Sequence, residues 1–179
     1  MESKSIIIFT DGACSKNGKK NATAGIGIHF PNKEFNDISE VFNLTPVTNQ
    51  RAELYAIYVA LKKVTEAPNF NKAIIYSDSQ YSIKSVTLWI KNWEKNDWKT
   101  ANGQTVKNQD IIKPINDILK KHKRKITFKH VRSHTGDTTF EALSNEKADK
   151  LACSVTQTSL GLTAQACFAE REVRYTHAN

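Results

Sequence analysis

Four acidic side chains stand where they can act together. Asp11 closes an apolar run, Ile-Ile-Ile-Phe-Thr-Asp-Gly, and Asp78 closes another, Ala-Ile-Ile-Tyr-Ser-Asp, so two buried strands each carry a carboxylate into their exit turns. Glu53 falls early in a stretch of helical spacing, on nearly the same face as Ile57 and Ala60, and Asp149 falls beside Ala148 and Ala152 in another. A carboxylate on the inward side of a helix is costly unless a cation neutralises it. Oxygen-only donors favour Mg²⁺ or Mn²⁺ over zinc, and Mg²⁺ keeps positions open for water and phosphate oxygens. Two such ions about 4 Å apart supply what phosphodiester hydrolysis needs: an activated water, a stabilised leaving oxygen and neutralised phosphate charge. Singly, each acid has a plainer reading: Asp11 and Asp78 as turn residues, Glu53 as an anion near a helix start, Asp149 as an exposed helix charge. Their joint placement argues for a metal site.

The elements that must position these acids follow in order. Residues 6–9, 22–30 and 38–44 read as three strands joined as an antiparallel meander. Gly25 and Gly27 are not a dinucleotide fingerprint, since no third glycine follows and no helix is about to start. At Thr48-Asn49 the period changes to that of a helix, with Leu54, Ile57, Tyr58, Leu61 and Val64 as its apolar stripe. Either Thr48 or Asn49 can cap it, and it must stop by Pro68. A strand over 73–76 comes next, and a helix between two strands is a crossover that makes them parallel. If the first strand is its neighbour, Asp11 and Asp78 converge. The spacing predicts a helix over 79–90 with Ile83, Val86 and Ile90 inward, an amphipathic helix over 108–122, and a strand over 126–131. A polar loop over 133–142 leads to a last helix over 143–155, and residues 156–179 read as a tail without pattern.

The 179 residues suit one domain with a single core. A formal charge of +8 points to an anionic partner, nucleic acid first, because Lys and Arg gain affinity by releasing counterions. All three tryptophans, Trp89, Trp93 and Trp98, are interleaved with Lys91, Lys95, Lys99 and Lys107. Cys14, Cys153 and Cys167 have neither disulfide-framework nor zinc spacing, and no segment reads as a secretion signal or membrane span. A cytoplasmic monomer that engages no membrane is expected.

Five motifs occur in one order across almost all of residues 5–155: Phe9-Thr10-Asp11-Gly12-Ala13-Cys14, Thr48-Asn49-Gln50-Arg51-Ala52-Glu53-Leu54, Ser77-Asp78-Ser79-Gln80-Tyr81, Trp93 through Trp98-Lys99-Thr100 with Val106-Lys107-Asn108, and Asn145-Glu146-Lys147-Ala148-Asp149-Lys150-Leu151-Ala152. With these the chain resembles type 1 ribonuclease H. The resemblance implies an α/β, ribonuclease H-like fold: a five-stranded mixed sheet, three antiparallel strands then two parallel ones, flanked by helices. The catalytic domain would span 1–155 and a C-terminal tail 156–179. The implied reaction is cleavage of the RNA strand of RNA/DNA hybrids, leaving 5′-phosphate and 3′-hydroxyl ends. By similarity Asp11, Glu53, Asp78 and Asp149 match the ligands of two Mg²⁺ (or Mn²⁺) ions, and His134 matches a mobile loop histidine thought to assist proton transfer or product release. Asn49, Gln50 and Gln80 match positions facing the minor groove, where amides read the 2′-hydroxyl, and Cys14 and Asn17 are candidates for similar contacts. Gly12 would keep its turn slim where an RNA backbone comes close. Trp89, Lys91, Lys95 and Lys99 resemble the basic protrusion that holds the DNA strand, with indoles packed inward and lysines outward.

Three departures accompany the match. Glu94 and Asp97 sit among the protrusion's lysines, the loop between His134 and Asp149 has extra residues including Asp137, Thr138, Thr139 and Phe140, and residues 156–179 have no counterpart in a minimal catalytic domain. Two other readings compete, a non-catalytic nucleic-acid-binding module on the same fold and a different nuclease of the wider superfamily.

Overall fold

Strand β1, Ile6–Ser15, is paired on both sides at the middle of a five-stranded sheet of order β3-β2-β1-β4-β5. The computed structural model describes residues 5–133 and 135–158. β2 (Thr23–His29) is antiparallel to β1 and β3 (Ile38–Phe42) to β2, whereas β4 (Ala73–Ser77) is parallel to β1 and β5 (Ile126–His130) to β4. The mixed sheet expected from the sequence is the one observed. Helix α1 (Asn49–Thr65) makes the crossover that returns the chain parallel to β1. Thr48 is its cap, the side-chain oxygen accepting from Arg51 N at 3.3 Å.

The expected helix over 79–90 is a composite. Ser79 caps α2 (Gln80–Lys84), a single π-helical turn spans Ser85–Trp89, and α3 (Ile90–Lys95) completes it. Val86 and Ile90 are buried as the spacing predicts, Ile83 is half-buried and Leu88 faces out. α4 (Gln109–Lys121) and α5 (Phe140–Thr158) follow, and among the described residues no helix is long and apolar enough to cross a membrane. α5 begins three residues earlier than its apolar pattern suggests, because Thr139 Oγ1 accepts from Ala142 N at 3.3 Å and starts the turn. It also runs past residue 155 to Thr158, while residues 159–179 of the expected tail lie outside the described residues.

Alternate side chains of β1 serve two cores. Ile8 packs with Ile26, Ile28 and the stripes of α1 and α4, including Leu54, Ile57, Leu61, Ile112 and Ile115. Phe9 and Ala13 instead belong with Ala148, Ala152 and Cys153 of α5. α5 lies backbone against backbone on β2, for a Cβ on Gly27 would stand 2.0 Å from Ala148 O and one on Gly25 2.4 Å from Ala152 O. The two glycines that suggested no phosphate loop are the seat of the last helix.

Candidate active site

The last residue pair joining β1 to β4 is Thr10 with Ser77, so Asp11 and Asp78 come next on adjacent strands. Asp11 is not in a turn. β1 continues to Ser15 in register with β2, with Asp11 opposite Gly27, because an antiparallel partner keeps pairing where β4 has stopped. The sheet therefore has a step: beyond Thr10, β1 is covered on its β2 side only, and the open side is where the acids gather.

Glu53 reaches this step because α1 crosses close to β1. A Cβ on Gly12 would lie 2.3 Å from Glu53 N, so the glycine's slimness admits the helix backbone, and the reason expected for it, approach of an RNA backbone, is not what the fold requires. Oxygens of Asp11, Glu53 and Asp78 come within 4.8 Å of one another; Asp11 and Glu53 are buried and Asp78 is half-buried. Three carboxylate oxygens at this spacing form the hard, all-oxygen donor set that fits a divalent ion such as Mg²⁺ or Mn²⁺.

Asp149, the fourth expected ligand, stands outside the 4.8 Å set. It is buried on α5, accepts a long contact from Cys153 Sγ at 3.8 Å, and helps to wall a cavity of about 390 Å³ together with Asn145 and residues 135–138. His134 falls outside the described residues. Two further residues, neither singled out as a site residue from the sequence, hold Asp78: His130 Nε2 donates to its carbonyl oxygen at 3.2 Å and Asn145 Nδ2 approaches its Oδ2 at 3.5 Å. For Asn145 the signal was legible, since it lies one helical turn before Asp149 on the same face.

Of the residues expected to meet substrate, Asn49 is tied into the site, its Nδ2 donating to Glu53 Oε1 at 3.4 Å and its backbone N to Asn17 Oδ1 at 3.1 Å. Gln50 and Gln80 are exposed near the same rim. The Cys14 side chain joins the α1 core and is 5% exposed.

The tryptophan and lysine segment is arranged as expected in one respect, with half-buried Trp89, Trp93 and Trp98 and exposed Lys91, Lys95 and Lys99. Trp89 packs on Trp93 and Tyr81, with ring centroids 5.8 and 6.0 Å apart, and Lys113 covers Trp98 at 4.8 Å. Glu94 does not dilute the outer charge. It turns toward α4, where Lys120 and Asn116 bind it and hold its carboxyl below the usual range, the Lys120 hydrogen bond being the largest cause. A partly buried relay that sequence spacing could not reveal ties this segment to α1: Arg51 binds Asp110 at 2.5 and 2.8 Å and Asn108 at 3.4 Å, and Asn108 donates to Tyr81 Oη at 2.8 Å.

Comparison with known proteins agrees with this geometry. The family model described as RNase H matches residues 3–157. A probable ribonuclease H of Acanthamoeba polyphaga mimivirus is 41% identical over 77% of this chain and 60% of its own length, and the ribonuclease H of Schizosaccharomyces pombe is 40% identical over 82% and 51%. The chain thus spans between half and three fifths of these relatives, but 95% of the Ehrlichia chaffeensis ribonuclease H, to which it is 37% identical over 86% of its own residues. The solution structure of the PFV (prototype foamy virus) RNase H domain is 28% identical, covering 89% of this chain and 96% of that one with a TM-score of 0.69. Sheet order, the convergence of acids on β1, α1 and β4, and a match that runs from the first strand to the last helix lead to one conclusion: the chain belongs to the ribonuclease H family.

Proposed function

We propose that this protein is a divalent-metal-dependent endoribonuclease that hydrolyses the RNA strand of RNA/DNA hybrids, leaving 5′-phosphate and 3′-hydroxyl ends. The observation that carries the reading is the convergence of Asp11, Glu53 and Asp78 at the step in the sheet, supported by family membership. These three, with Asp149 across the cavity wall, would hold two Mg²⁺ or Mn²⁺ ions. Bound there, such ions supply an acidified water, a charge sink for the leaving 3′ oxygen and neutralisation of the phosphate. The chain's own residues do the rest. Asn145 and His130 contact Asp78, Asn49 donates to Glu53, and the amides of Asn49, Gln50 and Gln80 would test for a 2′-hydroxyl, which both donates and accepts. Lys91, Lys95 and Lys99 would take the DNA strand by its phosphates, and the reading has the protein act as an intracellular monomer.

A non-catalytic binding module would have no need to keep three acids together in one largely buried cluster, which is costly without a counter-charge. The test is cleavage of end-labelled hybrid, duplex DNA and duplex RNA of one sequence with Mg²⁺ and with chelator. Cutting of the RNA strand of the hybrid alone, abolished by chelator, is expected. A preference for duplex DNA would overturn the reading.

A further inference from the structure

Residues 120–125, Lys-Lys-His-Lys-Arg-Lys, place five cations in six positions, and the function proposed above makes no use of them. They end α4 and turn into β5, with Lys120, Lys121, Lys123, Arg124 and Lys125 all exposed. Glu94 binds Lys120. Among the described residues the other four are in no ion pair, and neither Glu66 at the end of α1 nor Asp117 on α4, both exposed, is paired with any of them. The turn is fixed in shape: Lys125 N donates to His122 O at 3.1 Å and Lys125 O accepts from Ala73 N at 2.8 Å. Phe70, from the loop after α1, lies edge-on to His122 at 5.4 Å and has Lys125 over its ring at 5.8 Å. Arg124 sits at φ 66°, where glycine or asparagine is more at ease, so a cation is kept at a position whose backbone disfavours it. Burial holds the His122 imidazole below its ordinary value, and Lys121 and Lys125 push it the same way, so this surface already resists one more positive charge.

The turn stands away from the metal site. Ile6, Ala73 and Ile126 are in register at the starts of β1, β4 and β5, so the turn joins the sheet at the end opposite the acids. At about 3.3 Å of rise per strand residue, Ile6 lies roughly 16 Å along β1 from Asp11. The contact of Glu94 on α3 with Lys120 on α4 brings the turn next to the helix that carries Lys91 and Lys95. Two groups of exposed lysines therefore adjoin through one ion pair.

We propose that Lys121, Lys123 and Arg124 form a second nucleic-acid contact, one that takes the phosphate backbone of duplex DNA flanking the hybrid and not the hybrid at the metal site. Exposed charges of one sign suit a polyanion recognised by its phosphates and not by its bases. Nucleic acid is favoured over an acidic polypeptide because the turn adjoins the lysines given to the DNA strand, so one continuous polymer lies on both. This rests on the hybrid-cleaving reading above and extends it to the sequences on either side of the substrate.

The test compares the full chain with a Lys121→Gln/Lys123→Gln/Arg124→Asn variant in EDTA, between about 50 and 200 mM salt. Two fluorescent ligands are used: a GC-rich hybrid of about eight base pairs, reaching about 14 Å to either side of its centre, and the same hybrid with about 20 base pairs of duplex DNA at each end. On the flanked ligand, with about 0.9 counterions released per phosphate contact, the variant's log–log salt slope is shallower by about 2.7, and the parent loses about 40-fold more affinity across that range. On the short hybrid the two proteins bind alike. Arg124→Asn alone holds or raises the melting temperature, because asparagine suits the left-handed backbone, and still flattens the slope by about 0.9. In the parent, NMR titration places the His122 imidazole at a higher pKa with the flanked ligand than with the short hybrid, because phosphates offset Lys121 and Lys125. Equal slopes on the flanked ligand, an equal loss on the short hybrid, or a His122 shift produced by a polyglutamate peptide and not by the flanks overturns the contact while leaving the proposed activity standing. Failure of the parent protein to cut any hybrid in Mg²⁺ overturns that activity instead.

Discussion

A Cβ on Gly12 would fall 2.3 Å from the backbone nitrogen of Glu53 and 2.6 Å from the carbonyl carbon of Ala52. Both atoms are main chain, so no rotamer change can relieve the collision. Gly12→Ala must lift the first half of α1 from β1, costing about 1–3 kcal/mol and carrying Glu53 away from Asp11. A lower denaturant midpoint together with weaker Mg²⁺ binding by calorimetry is expected. Parental stability in this variant would show that the helix is seated by other contacts.

Asp11→Asn and Asp78→Asn separate stability from chemistry. Carboxylates within 4.8 Å repel one another when no ion lies between them. In chelator each variant is therefore more stable than the parent, since unit charges at that spacing and an effective dielectric near 20 repel by about 3.5 kcal/mol. Mg²⁺ then stabilises the parent but not the variants, and hybrid cleavage drops about 10³-fold or more. Turnover retained in either variant would remove that residue from the metal site.

Asn145 is 3% exposed, its amide directed at the Asp78 carboxylate. Asn145→Ala removes the amide that faces the Asp78 carboxylate, so Mg²⁺ affinity measured without substrate should fall about 10- to 100-fold. The KM for hybrid should stay near the parental value, because Asn145 positions a ligand and does not face the nucleic acid. A raised KM with parental Mg²⁺ affinity would assign it to substrate contact instead.

The Arg51–Asp110 pair gives a pH signature. The hydrogen bonds from Arg51, foremost, hold the Asp110 carboxyl below the usual carboxylate range. Because the folded value lies below the unfolded one, the pair's contribution is fully present above the unfolded value of about 3.9 and is lost as pH falls through the folded value. The guanidinium is buried but the Asp110 side chain is 57% exposed, so Asp110→Asn should cost only about 1 kcal/mol at pH 7. Melting curves of parent and variant should converge below about pH 4, and a constant gap down to acid would rule the ion pair out as its cause.

The parts of the fold that could be read in the sequence are those specified locally. Ile6, Ile7 and Ile8, and Ile74 and Ile75, read as strands because parallel strands covered on both faces are nearly continuous β-branched runs. Thr48 and the stripe from Leu54 to Val64 announced α1 for the same reason. Asp11 was misplaced into a turn because Asp-Gly has turn chemistry, and only pairing with Gly27 on β2 shows that the strand goes on. Cys14 could not be assigned to the core until that continuation fixed its face. The π-helical turn at Ser85–Trp89 left no mark in the apolar period, and the Arg51, Asn108 and Tyr81 relay joins residues up to 57 positions apart. Three of the four acids were found together because three local patterns each placed one, and a parallel register aligned two of them.

Gly25 and Gly27 give the last helix a floor built largely of main chain, Ala148 O and Ala152 O, beside the Val155 side chain. Most helix–sheet contacts are cushioned by side chains that can change rotamer when a neighbour changes size. Here main chain meets main chain, and the helix comes to a hard stop. The height of Asp149 above the sheet is thereby inherited from covalent geometry, so drift in the surrounding core can slide or tilt the helix but cannot lower this carboxylate toward the strands.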